Sequence, residues 1–586
     1  MPALHQRYLS ETVGAEGHPT AFSLTCPPDF SFGYDVVDEL ARRSPDKRAL
    51  RWTDDSGAVA EYTFADIARL SDQAASYFQQ AGVRKGDRVL LILKRHPQFW
   101  WAIVGLHKIG AVAVPATNQL KTHDLHYRLR KAEIRAVVCT QEGDVAAAVD
   151  EAAADLGLGL IRAAVHGARE GWDDFDAGVA AAQPFVAPTG ADRPVATDPL
   201  LLYFTSGTTA EPKMVLHDHS YPIAHISTAK YWQHVDPDGL HLTVSETGWA
   251  KSVWGKLYGQ WLMEAAVDVY DFDRFDPKKM LQHLHDAQVT TFCAPPTIYR
   301  FLVAEDLSGY DLSNLRHATT AGEAMNPVVA EKFRGLTGLE LKEGYGQTEM
   351  TLAAFTAYWQ PARPGSMGTP SPAYDVVLLR EDGTVAAPGE EGEICVRADR
   401  DARPLGLFLG YADDDAITDA AWHDGYYHTH DLATADADGY LWYVGRTDDM
   451  IKTSGYRVGP FEVESIVHDH PAVRECAITG VPDEIRGVVI KATIVLAEPY
   501  TGSTELAHEI QQFVKSRTAP YKYPRVVEFV DVLPKTISGK IRRVELADKS
   551  GGQQLVGDAG DCAAGPPERG GDLGAGDGLT GLQHGA

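Results

Sequence analysis

The chain has 586 residues, of which 44% are hydrophobic and 23% charged. That length allows roughly three or four folding units with ample core, which excludes a small binding module and a globally disordered chain. Lys and Arg number 54 against 81 Asp and Glu, a net charge of −27, and such a surface repels phosphate backbones and anionic lipid headgroups. Nucleic acid and membrane are therefore not expected as partners, and an anionic substrate needs a locally positive pocket or a metal ion. The six cysteines are far apart and form no CxxC pair, the N-terminus carries no apolar signal region, and no run reaches the roughly 18 apolar residues that span a bilayer. The expectation is a soluble cytoplasmic protein.

In chain order, short β-rich apolar runs alternate with helical patterns through the first 440 or so residues: 88–93, 111–114, 136–139, 200–204 and 290–294. This alternation predicts βαβ units and mainly parallel sheets, an α/β fold. Between Tyr374 and Val396 the texture changes to Asp-Gly and Pro-Gly turns around short strands, predicting a small antiparallel or barrel-like insert. From Asp448 the chain reads as a compact α+β unit with strands at 475–481 and 488–496 and an amphipathic helix near 504–515. The domains expected are thus 1–447, 448–549, and a glycine-rich, disordered tail at 550–586.

The apolar run at 200–204 opens into Thr205-Ser206-Gly207-Thr208-Thr209-Ala210-Glu211-Pro212-Lys213. Hydroxyls and backbone amides in such a loop can wrap a triphosphate, with Lys213 adding a point charge, although a polar surface turn has the same composition. It is not a Walker A loop, because Pro212 precedes the lysine and Met214 follows it. Further on come Glu343-Gly344-Tyr345-Gly346-Gln347-Thr348-Glu349, His428-Thr-His430-Asp431, a run from Gly445 through Arg446 and Asp448 to Ser454-Gly455-Tyr456-Arg457, and Pro534-Lys-Thr-Ile-Ser-Gly-Lys540.

These segments, in this order, resemble the adenylate-forming (acyl-activating) superfamily. The resemblance covers residues 25–548 and looks nearest to the prokaryotic medium-chain acyl-CoA synthetases. It implies a large N-terminal domain binding ATP and acid and a small mobile C-terminal domain. The implied reaction is ATP-dependent ligation of CoA to a short- to medium-chain acid, branched or aryl acids included, through acyl-AMP. Two alternatives stay open: an acyl-AMP ligase that loads a carrier protein, and a catalytically weak nucleotide-binding relative. The resemblance implies ATP contacts from the 205–209 loop, Lys213, Gly322, Glu323, 343–348, Asp431 and Arg446. It makes Lys540, Thr348 and Glu349 catalytic, with Lys540 also contacting ATP, Glu349 the Mg²⁺ ligand and Asp448 the hinge. CoA contacts are implied for Gln119, Ser454, Gly455, Tyr456, Arg457, Arg486, Tyr523, Pro524 and Arg525.

Two positions depart from the family pattern, Ala210 and His430, each where glycine is usual. For the acyl pocket the candidates are Trp232, Trp249, Lys251, Trp254 and Gly346. Each tryptophan is equally well a core residue, and Lys251 is equally a surface lysine lying along apolar surface. Acetate-specific relatives place Trp at the position of Gly346, so a deeper pocket is expected here. A homodimer is left open.

Overall fold

In the computed structural model, the residues described are 2–205, 212–323, 325–453, 456–483, 487–519, 521–535, 541–547 and 554–556. Contacts divide them into two units. One comprises residues 1–450, 459–465 and 534–542, the other 451–458, 466–533 and 543–586.

The larger unit holds two sheets. The first has eight strands, ordered Gly410–Tyr411, Lys213–Asp218, Pro199–Thr205, Val112–Pro115, Arg88–Ile92, Ala136–Cys139, Ile161–Ala164 and Asp173–Asp174. From Pro199–Thr205 to Asp173–Asp174 every pairing is parallel, and the connections carry helices, as the alternating runs predict, except for the irregular turn 165–172 before Asp173–Asp174. The Gln98–Ile109 helix between two of these strands is buried along its whole length, and the Trp100 indole donates to the Lys256 carbonyl at 2.8 Å. Its apolar residues lie in the main core, and its one buried lysine, Lys108, is paired with Asp38 and Asp72, each at 2.6 Å.

The second sheet has a parallel heart: Arg48–Asp54, Ala266–Asp271, Leu240–Thr243, Thr291–Ala294, His317–Ala321 and Leu341–Gly346. Direction reverses at Leu341–Gly346, whose next neighbour Leu352–Phe355 runs antiparallel. Ser366–Pro370 then bridges to the antiparallel strands Leu441–Arg446, Tyr426–Ala435, Glu391–Arg397 and Val376–Leu379. The insert expected from the turn-rich texture therefore continues the large sheet. Among the described residues no helix is long and apolar enough to cross a membrane.

The smaller unit is α+β. Val473–Asp483 pairs antiparallel with Gly487–Leu496, which pairs parallel with Val526–Phe529. The Thr504–Lys515 helix begins at Ser503, whose hydroxyl accepts from the Leu506 amide at 3.1 Å. Its apolar positions Leu506, Ala507, Ile510 and Val514 are buried at helical spacing. Beyond the end expected from sequence, Gln554–Val556 adds one strand beside Val526–Phe529. An open strand edge offers backbone groups that even a short segment can pair with, which the composition of the tail does not reveal.

Candidate active site

The loop 205–213 joins two antiparallel strands, with Thr205 and Lys213 paired across its mouth. Ser206, Gly207, Thr208, Thr209 and Ala210 lie outside the described residues. The Lys213 ammonium sits 4.9 Å from the centre of the Tyr411 ring, an attractive cation–π placement. Tyr411 arrives on the edge strand that pairs with Val215 and Leu216. Its hydroxyl donates to Glu349 Oε1 at 2.9 Å, and the Phe408 amide donates to the Glu349 carbonyl at 2.8 Å. Burial raises the Glu349 carboxyl above the usual carboxylate range, and the Tyr411 hydrogen bond and the charges of Lys213 and Arg446 oppose that rise. A hard oxygen ligand thus lies beside the cation at the mouth of a hydroxyl-rich loop.

Strand Leu341–Gly346 and the following turn deliver Tyr345 and Gln347 to Asp431. The Tyr345 hydroxyl and Gln347 Nε2 each donate to Asp431 Oδ2 at 2.6 Å, and the Tyr443 hydroxyl donates to Oδ1 at 3.2 Å. Gln347 is itself held by the Thr429 carbonyl at 2.8 Å and by the Tyr427 hydroxyl, which donates to its Oε1 at 2.8 Å. Arg446 Nη1 lies 3.6 Å from Asp431 Oδ1, and Arg446 Nε donates to Asp448 Oδ1 at 3.0 Å. Asp431 is a buried carboxylate whose orientation is fixed from three sides.

His430 has φ of +61°, so the backbone keeps the left-handed conformation that glycine would adopt freely. For a residue with a Cβ this costs about 1 kcal/mol. Cys395 pairs with His428 and Glu393 with Leu432, so Thr429, His430 and Asp431 together face the single residue Ile394. The bulge turns Asp431 toward Tyr345 and Gln347. Glu343 faces elsewhere. Its carboxylate oxygens accept from the amides of Gly365 at 2.9 Å and Met325 at 3.3 Å, and burial pushes its pKa up to about 8. At Gly344 a Cβ would come within 2.9 Å of the Trp232 ring, so only glycine lets the strand lie against that indole.

The acyl candidates separate. Trp232 is fully buried, its indole donating to the Lys342 carbonyl at 3.0 Å, and it supports the strand from beneath. Trp249, half-buried, precedes the Ala250–Lys256 helix that carries Lys251 and Trp254. Lys251 Nζ donates to the Ala321 carbonyl at 2.6 Å, where strand His317–Ala321 ends, and a Cβ on Gly322 would lie 4.0 Å from that ammonium. Burial lowers the Lys251 pKa, with Glu323 opposing. Lys251 is thus anchored at the carboxyl end of a parallel strand, where open α/β sheets place ligands. Glu323 is exposed and accepts from the Thr297 hydroxyl at 3.0 Å. Exposed Gln119 sits in the turn after Val112–Pro115, which Glu246 ties down by accepting from the Thr117 hydroxyl and the Asn118 amide at 2.8 and 3.1 Å. Gly248 packs so closely on that turn that a Cβ would lie 2.4 Å from the Ala116 backbone.

In the smaller unit, the Tyr523 ring lies between Arg525 and Lys515, at 4.8 and 5.3 Å, with Pro524 in the same turn. Tyr456 and Arg457 lie in the strand Tyr456–Val458, opposite Thr453 and Lys452. Ser454, Gly455, Arg486 and Lys540 lie outside the described residues. The flanks of Lys540 are tied in the larger unit by a bridge between Lys535 and Ile541 and by the Arg542 amide donating to the Pro534 carbonyl at 2.9 Å.

Sequence reasoning missed His217. Its Nε2 donates to the Thr348 carbonyl at 2.8 Å, and its ring stacks on Tyr221 at 3.8 Å. Tyr221 in turn accepts from the Trp254 indole at 2.9 Å. Burial pushes the His217 pKa down to about 3, so a neutral imidazole holds Thr348. The chain Trp254, Tyr221, His217, Thr348 connects the helix of acyl candidates to the motif turn. Tyr411 was missed as well. Neither residue belongs to a motif, and each meets the site through cross-strand pairing between distant segments.

A phosphate-type loop mouth with a lysine, a buried carboxylate beside it, and a clamped aspartate on neighbouring strands define a nucleotide-using enzyme of two units. The chain belongs to the AMP-binding enzyme family, whose profile matches residues 37–412, with the C-terminal domain of such enzymes matching 462–540. It is 39% identical over 540 residues to the mitochondrial acyl-coenzyme A synthetase ACSM3 of Homo sapiens, covering 90% of this chain and 91% of that one. It is 40% identical over 539 residues to the mitochondrial ACSM4 of Rattus norvegicus, covering 90% and 92%. Among solved structures it resembles the anthranilate CoA ligase AuaEII in complex with anthranoyl-AMP, with TM-score 0.79, 28% identity and coverage of 89% and 97%. It also resembles a benzoate CoA ligase from Burkholderia xenovorans LB400, with TM-score 0.76, 27% identity and coverage of 89% and 100%.

Proposed function

We propose that this chain joins CoA to a short- to medium-chain, branched or aryl carboxylic acid through an acyl-AMP intermediate. The acid's carboxylate attacks the α-phosphorus of ATP, and pyrophosphate leaves. The CoA thiolate then attacks the acyl carbon, and AMP leaves. The observation that carries this reading is the convergence of Lys213, Tyr411, Glu349 and the clamped Asp431 in a chain that belongs to the AMP-binding enzymes.

In this reading Lys213 and the 205–209 loop hold the phosphates, and Asp431, oriented by Tyr345, Gln347 and Tyr443, accepts from the ribose hydroxyls. Arg446 supports Asp431 and meets the nucleotide. Thr348, fixed by His217, faces the reacting carboxylate. Glu349 offers the hard oxygen that Mg²⁺ prefers, next to the loop that would carry the phosphates. Magnesium there would supply positive charge against the phosphate oxygens. Lys540 is the cation of the adenylation half, and the 454–457 segment, Arg486 and Tyr523–Arg525 serve CoA in the other half. In this reading these positive charges serve the anionic substrates, although the protein as a whole is acidic. A reducing compartment supplied with ATP and CoA suits this chemistry, and we take the cytoplasm as the proposed location.

The test is acid-dependent exchange of pyrophosphate into ATP over a panel of C2 to C10 linear, branched and aryl acids, repeated as thioester formation with CoA. Exchange and thioester with the same acids are expected. Exchange without thioester would favour loading of a carrier protein, and no exchange with any acid would leave only a nucleotide-binding relative.

A further inference from the structure

Two clusters of metal-ligating side chains occur among the described residues. In the first, His96, Glu142 and His166 meet near the ends of parallel strands, but the Lys94 ammonium already occupies Glu142 Oε2 at 2.7 Å and a second cation would compete with it. The second lies on the two strands whose bulge presents Asp431. Glu393 and Cys395 alternate onto one face of Glu391–Arg397, and His428 stands across from Cys395. Cys395 Sγ is 3.5 Å from His428 Nδ1, and Nδ1 is 3.0 Å from Glu393 Oε2. His430 Nδ1 is 3.7 Å from the other carboxylate oxygen, Oε1.

Three features distinguish this cluster from an ordinary buried network. The ion pairs of Glu393 run to His428 and His430, and no lysine or arginine pairs with it among the described residues. His428 Nε2 is buried without a hydrogen-bond partner, so the polar chemistry of the ring runs through Nδ1. His430 holds a left-handed conformation that disfavours a side chain, and its imidazole, 43% exposed, opens the cluster to solvent. A histidine kept at φ +61° where glycine would be free of strain points to a use for that side chain.

We propose that Glu393, Cys395, His428 and His430 form a tetrahedral site for a zinc-class divalent ion, separate from the magnesium position at Glu349. Around such an ion, with a bond of about 2.3 Å to sulfur and about 2.0 to 2.1 Å to nitrogen or oxygen, adjacent ligand atoms lie roughly 3.3 to 3.6 Å apart. The Cys395 to His428 spacing of 3.5 Å already fits and the His428 to Glu393 Oε2 spacing of 3.0 Å must open slightly, while His430, 3.7 Å from the other carboxylate oxygen and outside the three-residue cluster, must swing in to complete the set. Thiolate and imidazole ligands select zinc-class ions over magnesium and calcium. On binding, the Cys395 thiol, which burial holds protonated, releases its proton to solvent, and the His428 proton moves from Nδ1 to Nε2. The ion would cross-link the bulge and so hold Asp431 in place.

The experiment titrates metal-free full-length protein with Co²⁺ and follows the thiolate-to-cobalt charge-transfer band, with Zn²⁺ competition giving the affinity. One equivalent and a band that Zn²⁺ abolishes and Mg²⁺ leaves intact are expected. Cys395→Ser should remove the band, and His430→Gly, which relieves the backbone and keeps the fold, should weaken binding by at least about tenfold. Absence of the band in the parent protein, its persistence in Cys395→Ser, or unchanged affinity in His430→Gly would each overturn the proposal. These readouts do not depend on turnover, so failure of the ligase reading is separately visible in the exchange assay.

Discussion

At the scale of single residues, the site depends on side chains that hold other side chains. Tyr411 is the clearest case, since its hydroxyl is the donor that keeps the buried Glu349 carboxyl from rising further. Tyr411→Phe leaves the ring under Lys213 but removes that donor, so the Glu349 pKa rises. Glu349 must be ionised to hold Mg²⁺, so the acid limb of the pH profile of ATP–pyrophosphate exchange is expected to move to higher pH. An unmoved limb would show that Glu349 does not control adenylation. The motif residues Tyr345, Gln347, Asp431 and Arg446 were legible in sequence because they are contiguous or fall in ordered segments. Tyr411 and His217 were not, because a lone Tyr or His carries no spacing signal and acquires its role only through cross-strand neighbours.

At the scale of elements, the strand Leu341–Gly346 does the most. Its Gly344 rests on Trp232, and at Gly346 a Cβ would lie 2.6 Å from the Thr351 carbonyl, where the register with Leu352–Phe355 already slips. Gly346→Trp, the substitution the family comparison suggests for shifting preference toward acetate, is therefore expected to displace the neighbouring backbone and lower stability in a denaturant titration. An intact protein with a pure change in chain-length preference would contradict this. Trp249→Ala, on a half-buried side chain outside that contact, is the better probe of the acyl pocket. The same strand carries Glu343, whose folded pKa of about 8 exceeds its unfolded value near 4.5. The folded state then binds the proton more tightly, so stability is full below about pH 4.5 and declines as pH rises through about 8. Glu343→Gln should flatten that decline in melting temperature measured between pH 5 and 9, and an unchanged slope would refute the assignment.

At the scale of the molecule, the chemistry asks for two incompatible environments, one with a cation at the α-phosphate and one with a path for a thiol. Two units joined near Asp448 fit this demand, and Lys540 lies in a segment the sequence marks by Pro534 and Gly539. Lys540→Ala is expected to abolish acid-dependent exchange and to spare thioester formation from supplied acyl-AMP. Equal loss of both would count against alternation between two states.

The sequence alone determined the class of fold, the ordered motifs and the charge balance, because these are written in local periodicity and in contiguous residues. It also located His430 as a departure. Only the tertiary structure decided that the departure is absorbed by a bulge with the backbone unchanged in hand, and that the turn-rich insert extends a single large sheet. The tertiary structure likewise decided which tryptophans support the site from beneath and that Glu393, Cys395, His428 and His430 meet. Those outcomes depend on strand register and on contacts between segments tens to hundreds of residues apart, which no local pattern encodes.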